Sequence, residues 1–273
     1  MRFAFKLMYL GTDYHGFQIQ PDMQTVEGEL IKALIELGIF DDPMSARYSA
    51  AGRTDRGVHA IGQVIAFDTD KIELATPRII NSKLSDSIRI WARAEVPDDF
   101  DPRRSAIRRE YRYFFYRGNL NLQKIRSASR LLIGTHDFAN FSINEGKSTV
   151  RTVESVEVRV NGDFLSLDIV ADSFARSMVR KIAFALSMIG TGESDEGWLA
   201  RMLNPNDYRE GIEHAPAYGL VLKNVTYKGI EFIEDEYSKK KALQNLNEGL
   251  LWYGTMFEVV KEMREMLEVK SVL

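Results

Sequence analysis

The chain has 273 residues, 45% of them hydrophobic and 27% charged, with no cysteine. That mix can bury a sizeable core. It excludes wholesale disorder, a fibrous repeat, disulfide stapling, thiolate metal sites and cysteine nucleophiles. The formal net charge of −3 means that any polyanion must be gripped by a local patch, not by bulk charge.

The N-terminal stretch alternates Phe3, Phe5 and Leu7 with Arg2, Ala4 and Lys6, the period of a half-buried strand. After a polar turn at 11–16, Thr25 opens a helix with Val26, Leu30, Ala33, Leu34 and Leu37 on one face, and Gly38 closes it. Residues 63–68 are apolar on both faces and predict a central strand; 88–94 predict another. In the second half, 110–116 read as an aromatic-rich strand. Two alternating runs around Val156–Val158–Val160 and Leu165–Leu167–Ile169 flank Asn161-Gly162, which predicts a hairpin with positive φ at both turn residues. A helix is expected from about Phe174, with Met178, Ile182, Ala185 and Ile189 inward and Gly190 at its end. A last strand is expected over 220–227. In the tail, Leu246, Leu250, Tyr253, Phe257, Val260, Met263 and Leu267 fall on one helix face, although Gly249 and Gly254 weaken it. We expect that face to pack on the parent domain or on a dimer partner. Strands and helices mixed with a hairpin argue for an α+β fold. No signal-peptide pattern or bilayer-length apolar run is present, so a soluble, cytoplasmic protein is expected.

Three places could carry chemistry. The loop Ala51-Gly52-Arg53-Thr54-Asp55-Arg56-Gly57-Val58-His59-Ala60 brackets an aspartate with two arginines and two glycines. Neighbouring guanidinium groups keep such a carboxylate ionised, ready to act as nucleophile, base or ion-pair partner. A plain turn with Asp55 as a cap explains the spacing more simply. Residues 101–130 hold nine bases and two acids, interleaved with Tyr111, Tyr113, Phe114, Phe115 and Tyr116. Guanidinium groups and aromatic faces suit phosphates and unpaired bases, but a core strand with a basic edge reads equally well. Arg176 and Arg180 lie four apart near a helix start, where a cation needs an acidic partner such as Asp55. The four histidines have no metal-ligand spacing, and neither a phosphate-binding loop nor a dinucleotide fingerprint is present.

The run from Gly52 to Val64 closely resembles the signature loop of the tRNA pseudouridine synthase A family. Gly16-Phe17-Gln18-Ile19-Gln20, Thr25-Val26-Glu27, Asp99-Phe100-Asp101-Pro102-Arg103, Arg109-Glu110-Tyr111-Arg112-Tyr113, Gly134-Thr135-His136-Asp137-Phe138, the stretch 174–180 and Ala215-Pro216-Ala217-Tyr218-Gly219-Leu220 resemble the family's other motifs, in its order. The likeness covers about 1–228 and departs from the pattern in three ways. Arg56 stands where many members have a small residue, Asp101-Pro102 replaces a His-Ala pair, and the tail has no counterpart in the compact family pattern.

The resemblance implies two α+β halves, 1–100 and 101–230, around a continuous, mostly antiparallel sheet with a central cleft, and a helical extension over 231–273. It implies a homodimer that grips tRNA and isomerises uridine to pseudouridine in the anticodon stem-loop, at positions 38 to 40, with no cofactor and no metal. Asp55 matches the family nucleophile, Arg180 its arginine partner and Tyr111 the tyrosine packed on the flipped base. Arg53 matches an arginine that takes the space the base vacates, and Leu220 a wall for uracil. Arg56 and His59, in the same loop, are expected to contact substrate. The alternative is a catalytically silent tRNA-binding or folding protein on the same fold; intact Asp55, Arg180 and Tyr111 favour the enzyme.

Overall fold

The computed structural model describes residues 1–143 and 145–269, so the last four residues of the expected extension lie outside it. Among the described residues, ten strands form one sheet: β1 (Arg2–Tyr9), β2 (Ser49–Ala50), β3 (His59–Asp68), β4 (Ile88–Glu95), β5 (Ala106–Tyr116), β6 (Gly134–Asp137), β7 (Val150–Asn161), β8 (Phe164–Ala171), β9 (Leu220–Tyr227) and β10 (Ile233–Glu234). Their order is β10-β4-β1-β3-β9-β5-β8-β7-β6, with β2 paired to β3. The sheet is antiparallel throughout except where β3 meets β9. That parallel seam holds just two register pairs, His59 with Val221 and Ala60 with Leu222. Gly62 lets the strands approach there, since a Cβ on it would sit 2.2 Å from the Lys223 carbonyl oxygen.

Two apolar clusters pack on the sheet and meet at β9, which gives Leu222, Val225 and Tyr227 to the first and Leu220 to the second. The first gathers Phe3, Phe5, Leu7 and Phe67 with Leu30 and Leu34 of α1 (Val26–Glu36). The second gathers Tyr113, Leu165 and Ile169 with α3 (Leu122–Arg130), α4 (Met178–Thr191) and α5 (Glu196–Met202). A short helix, α2 (Pro77–Asn81), adds Ile80 to the first cluster. The face away from the second cluster bears paired charges: Arg112 and Lys223 both reach Asp168, at 2.8 and 3.0 Å. Alternation thus places the core face along β5 and β8. By contrast β1, expected to be half-buried, is buried on both faces, with Arg2 and Ala4 covered as fully as Phe3 and Phe5, because it lies between β3 and β4 inside the sheet.

Helix caps explain most boundaries. Thr25 accepts from Gly28 N at α1, as expected from the sequence. Asn121 and Asp195 cap α3 and α5 in the same way, and those two helices were not anticipated. Their signal was present: a capping side chain, then Leu122, Ile125 and Ala128, or Trp198, Leu199 and Met202, at helical spacing.

Three expectations need correction. The hairpin turn is Gly162-Asp163, because Asn161 already pairs with Phe164, and Gly162 alone of the turn residues has positive φ, at 58°. That is the pattern of a turn with glycine first, not of Asn-Gly centred on the loop. The helix expected from Phe174 starts at Met178 and ends on Gly192 at φ 89°, with Gly190 inside it against Ile125 and Leu120 of the α3 region. Arg176 therefore lies outside the helix and faces Glu145 at 3.4 Å instead of sharing a face with Arg180. Third, the tail does form one helix, α6 (Glu236–Val269), across both glycines, but its apolar stripe is largely bare. α6 starts against β4 and α2 with Ala242 buried, and Phe257 reaches the Tyr116–Phe164 ring pair. Between and beyond those anchors Leu250, Leu251, Trp252, Val260, Met263 and Leu267 face solvent.

Candidate active site

The loop that precedes β3 is fastened from below by buried polar groups. Thr54 is buried, and its Oγ1 meets the Tyr9 hydroxyl at 2.8 Å. Gln63, fully buried, donates from Nε2 to the Gly52 carbonyl at 3.0 Å. The Phe17 amide donates to the Thr54 carbonyl at 3.1 Å. Arg109, half-buried, donates to the carbonyls of Ala51, Arg103 and Asp172 at 2.8 to 3.1 Å. A buried polar network of this kind, with its donors and acceptors matched, rigidifies what it carries. What it carries is Asp55, whose side chain remains 31% exposed at the seam.

Asp55 is met by α4 from the other half. Arg180 Nη1 donates to Asp55 Oδ2 at 2.8 Å. The same guanidinium donates from Nε to the Ala215 carbonyl at 2.8 Å and from Nη2 to His214 Nδ1 at 2.9 Å, so that imidazole nitrogen is unprotonated. Three acceptors fix the plane of one nearly buried cation. This satisfies the need for an acidic partner at a helix N-terminus, where the helix dipole disfavours positive charge. Ser177 Oγ donates to the same carboxylate oxygen at 3.2 Å.

Tyr111, on β5, stands over the loop with its ring edge-on to Phe174 at 5.1 Å between centroids. Its phenol is pushed up to about 12, chiefly by burial; Arg109 pulls it down and the Asp55 carboxylate pushes it further up. It is therefore a neutral phenol near pH 7, able to pack or donate but holding very little phenolate. Leu220, buried at the start of β9, sits in the second apolar cluster behind the cleft.

The remaining loop residues behave differently from one another. Arg53 and Arg56 are exposed and make no ion pair among the described residues; burial pushes the nearby Glu27 carboxyl up, and the Ile19 amide and Arg53 only partly offset it. His59 is turned to the protein: its Nδ1 accepts from the Gly11 amide at 3.1 Å, and it shares a hydrogen bond with the Tyr218 backbone. Burial lowers its imidazole below the usual range, against that last bond. In the basic segment, Arg108 pairs with Glu154, Arg112 with Asp168, and Arg126 donates to the Val158 carbonyl. Tyr113 and Phe115 are core. Arg103, Arg104, Arg117 and Arg130 stay exposed, so the stripe is part scaffold and part basic surface. Ser177, His214 and Arg109 join the site although none was expected there by role; Ser177 and Arg109 lie within motifs quoted above, and their partners Asp55 and Ala51 are far away in the chain.

A family model described as tRNA pseudouridine synthase matches residues 128–228. The protein named tRNA pseudouridine synthase A from Methanosarcina barkeri is 55% identical over 265 residues, covering 96% of this chain and 98% of its own length. The chain belongs to the tRNA pseudouridine synthase family. Proteins of the same name from Methanosarcina mazei and Archaeoglobus fulgidus are 56% and 42% identical, over 96% and 97% of this chain and 98% of theirs. Among solved structures, a chain of a Cbf5-Nop10-Gar1 complex aligns with TM-score 0.36 and 14% identity, over 68% of this chain and 45% of its own, which is too loose to argue from.

The synthase is thus an isomerase of the RNA-modifying kind, on an α+β fold. Alignments that span 96% of the chain leave too few residues unmatched to exclude the tail. The tail therefore has a counterpart in these archaeal relatives, which corrects the expectation drawn from the compact pattern. Among the described residues, no group of three or more His, Asp or Glu side chains could hold a metal ion, and no helix is long and apolar enough to cross a membrane.

Proposed function

We propose that this synthase converts uridine to pseudouridine in the anticodon stem-loop of tRNA, with Asp55 as the nucleophile. The observation that carries the reading is the ion pair of Asp55 with the nearly buried Arg180 at 2.8 Å, set at the seam with the carboxylate still open to the cleft. The target nucleotide leaves its stack to reach Asp55. Asp55 bonds to ribose C1′ as the N1–C1′ bond breaks and uracil departs as its anion. The uracil turns, C5 bonds to C1′ and displaces the carboxylate, and the proton on C5 is lost while N1 gains one, so nothing is added or removed overall. Pairing with Arg180 orients Asp55 and fixes one of its oxygens, the arrangement of an aimed nucleophile. Tyr111 packs on the displaced base as a neutral phenol, Arg53 enters the vacated space, and Leu220 walls the uracil. Arg56 and the exposed arginines beside β5 hold phosphates. His59 acts through the loop it ties.

The working unit is a homodimer with one tRNA laid across both copies. Support comes from α6, where Leu250, Leu251 and Leu267 are each more than 70% exposed, an apolar run that single chains rarely leave bare. Its start carries Lys239, Lys240 and Lys241 against Glu236, and its end Glu258, Glu262, Glu265 and Glu268 against Lys261 and Arg264, so two copies laid antiparallel set a net positive end opposite a net negative one.

The decisive experiment incubates purified protein with unmodified tRNA transcripts and maps pseudouridine chemically at every uridine, with Asp55→Asn alongside. Product in the anticodon stem from the natural protein, and a loss of at least about a thousandfold in the variant, is the expected result for removal of a reacting group. A folded, tRNA-binding protein without product would favour the silent binder. Undiminished product from Asp55→Asn would mean another residue does the chemistry.

A further inference from the structure

Ser177 is the outlier of the molecule's helix starts. Thr25, Thr76, Asn121 and Asp195 precede their helices in extended conformation, and each side chain accepts from a first-turn amide. Ser177 precedes α4 in the left-handed region, at φ 61° and ψ 5°, and its hydroxyl caps nothing. An L residue with a side chain is strained there, and glycine is the residue that fits. The hydroxyl instead donates across the seam to Asp55 Oδ2 at 3.2 Å. Arg180 Nη1 donates to that same oxygen at 2.8 Å. Among the described residues, Asp55 Oδ1 accepts no hydrogen bond. The two donors therefore divide the carboxylate into a held oxygen and a free one. With Oδ2 fixed at two points, rotation about the Cβ–Cγ bond is restrained and the lone pairs of Oδ1 keep one direction.

We propose that Ser177 is a positioning residue for Asp55, whose hydroxyl joins Arg180 on Oδ2 and so presents Oδ1 as the reacting atom. The left-handed backbone is what turns the hydroxyl away from its own helix and toward the carboxylate. This rests on Asp55 being the reacting carboxylate, and the two ideas fail separately.

Ser177→Gly distinguishes the proposal from a merely structural role. Glycine removes the hydroxyl and relieves the backbone, so a structural role predicts full activity and equal or better thermal stability. The proposal predicts a protein that melts no lower, binds tRNA with unchanged Kd, and turns over a bound transcript about tenfold more slowly, the scale of one hydrogen bond to a charged group. Ser177→Asn should recover most of the rate, since asparagine tolerates the left-handed region and its amide can donate to Oδ2. Should the glycine variant fold poorly, Ser177→Ala read against Ser177→Asn asks the same question. Single-turnover rates equal to the natural protein's in the glycine or alanine variant overturn the proposal. So does a loss that follows the folded fraction or tRNA affinity, or that asparagine fails to repair. If instead Asp55→Asn keeps its activity, the assignment of the reacting carboxylate falls first.

Discussion

The seam between β3 and β9 and the tail helix α6 treat their chemistry in opposite ways. At the seam polar groups are buried and matched: Thr54 with Tyr9, Gln63 with Gly52, and Arg180 with Asp55, Ala215 and His214. Along α6 large apolar groups such as Leu250, Leu251 and Trp252 are exposed, whereas Tyr237 lies under Arg78 and Phe257 finds Tyr116 and Phe164. The first region has its geometry set before any ligand arrives, which is what lowers the cost of reaching a transition state. The second is a surface still lacking its cover. Catalytic precision and association thus draw on different side chains, and changes in one region should leave the other intact.

The largest effect short of removing Asp55 should come from Arg180→Lys. A lysine can reach Asp55 but cannot also serve the Ala215 carbonyl and His214 in one plane. We expect kcat/KM on a tRNA transcript to fall about a hundredfold while the melting temperature moves little; an unchanged rate would mean the guanidinium fork is dispensable. Gly62→Ala strikes the same region through the backbone, since the new Cβ lies 2.2 Å from the Lys223 oxygen and 2.7 Å from the Asn224 Cα. Urea titration should show a loss of about 3 kcal/mol, near the top of the range for overpacking. No loss would mean the seam yields freely.

Tyr111→Phe keeps the ring against Phe174 and removes a phenol that is neutral near pH 7. A loss in kcat below about tenfold is expected, and a much larger one would show the hydroxyl taking part in proton transfer. Burial also raises Tyr9, Tyr113 and Tyr227. The folded protein therefore keeps phenolic protons that the unfolded chain has already released. Stability from these groups is complete below about pH 10 and is lost as pH climbs toward 12 and beyond. Tyrosinate absorbance should rise together with unfolding; ionisation without unfolding would contradict the burial. The smallest effect on the fold belongs to α6. Leu250→Glu with Val260→Glu should halve the mass seen by sedimentation while stability of the single chain shifts by no more than about 0.5 kcal/mol, as for exposed positions. A mass that does not respond would remove the stripe from the association.

Much of this was legible from residue order alone. Alternation located β1 and β8, although β1 proves to be buried on both faces, and Thr25 with Gly38 bracketed α1 because caps are local chemistry. The start of α4 was misread because Phe174 and Ala175 extend its apolar pattern, whereas the helix waits for Ser177 to turn toward a residue 122 positions away. The meeting of Asp55 and Arg180 was suggested by a cation at an unfavourable helix end, which is a local clue to a distant partner. His214 and Arg109 offered no such clue. On α6, periodicity identified which residues share a face; it carries no information about whether anything lies against that face.

The seam also sets a clock. β9 pairs with β3 only after more than half the chain has been made between them, as the contacts His59–Val221 and Ala60–Leu222 require. Pairings of such long range are the slow ones, and an emerging chain cannot make them early. The loop bearing Asp55 leaves the ribosome first, its arginine much later, and the strand that closes the cleft near the end. A nascent chain then carries the Asp55 loop without its arginine partner and without β9 until most of the chain has been made.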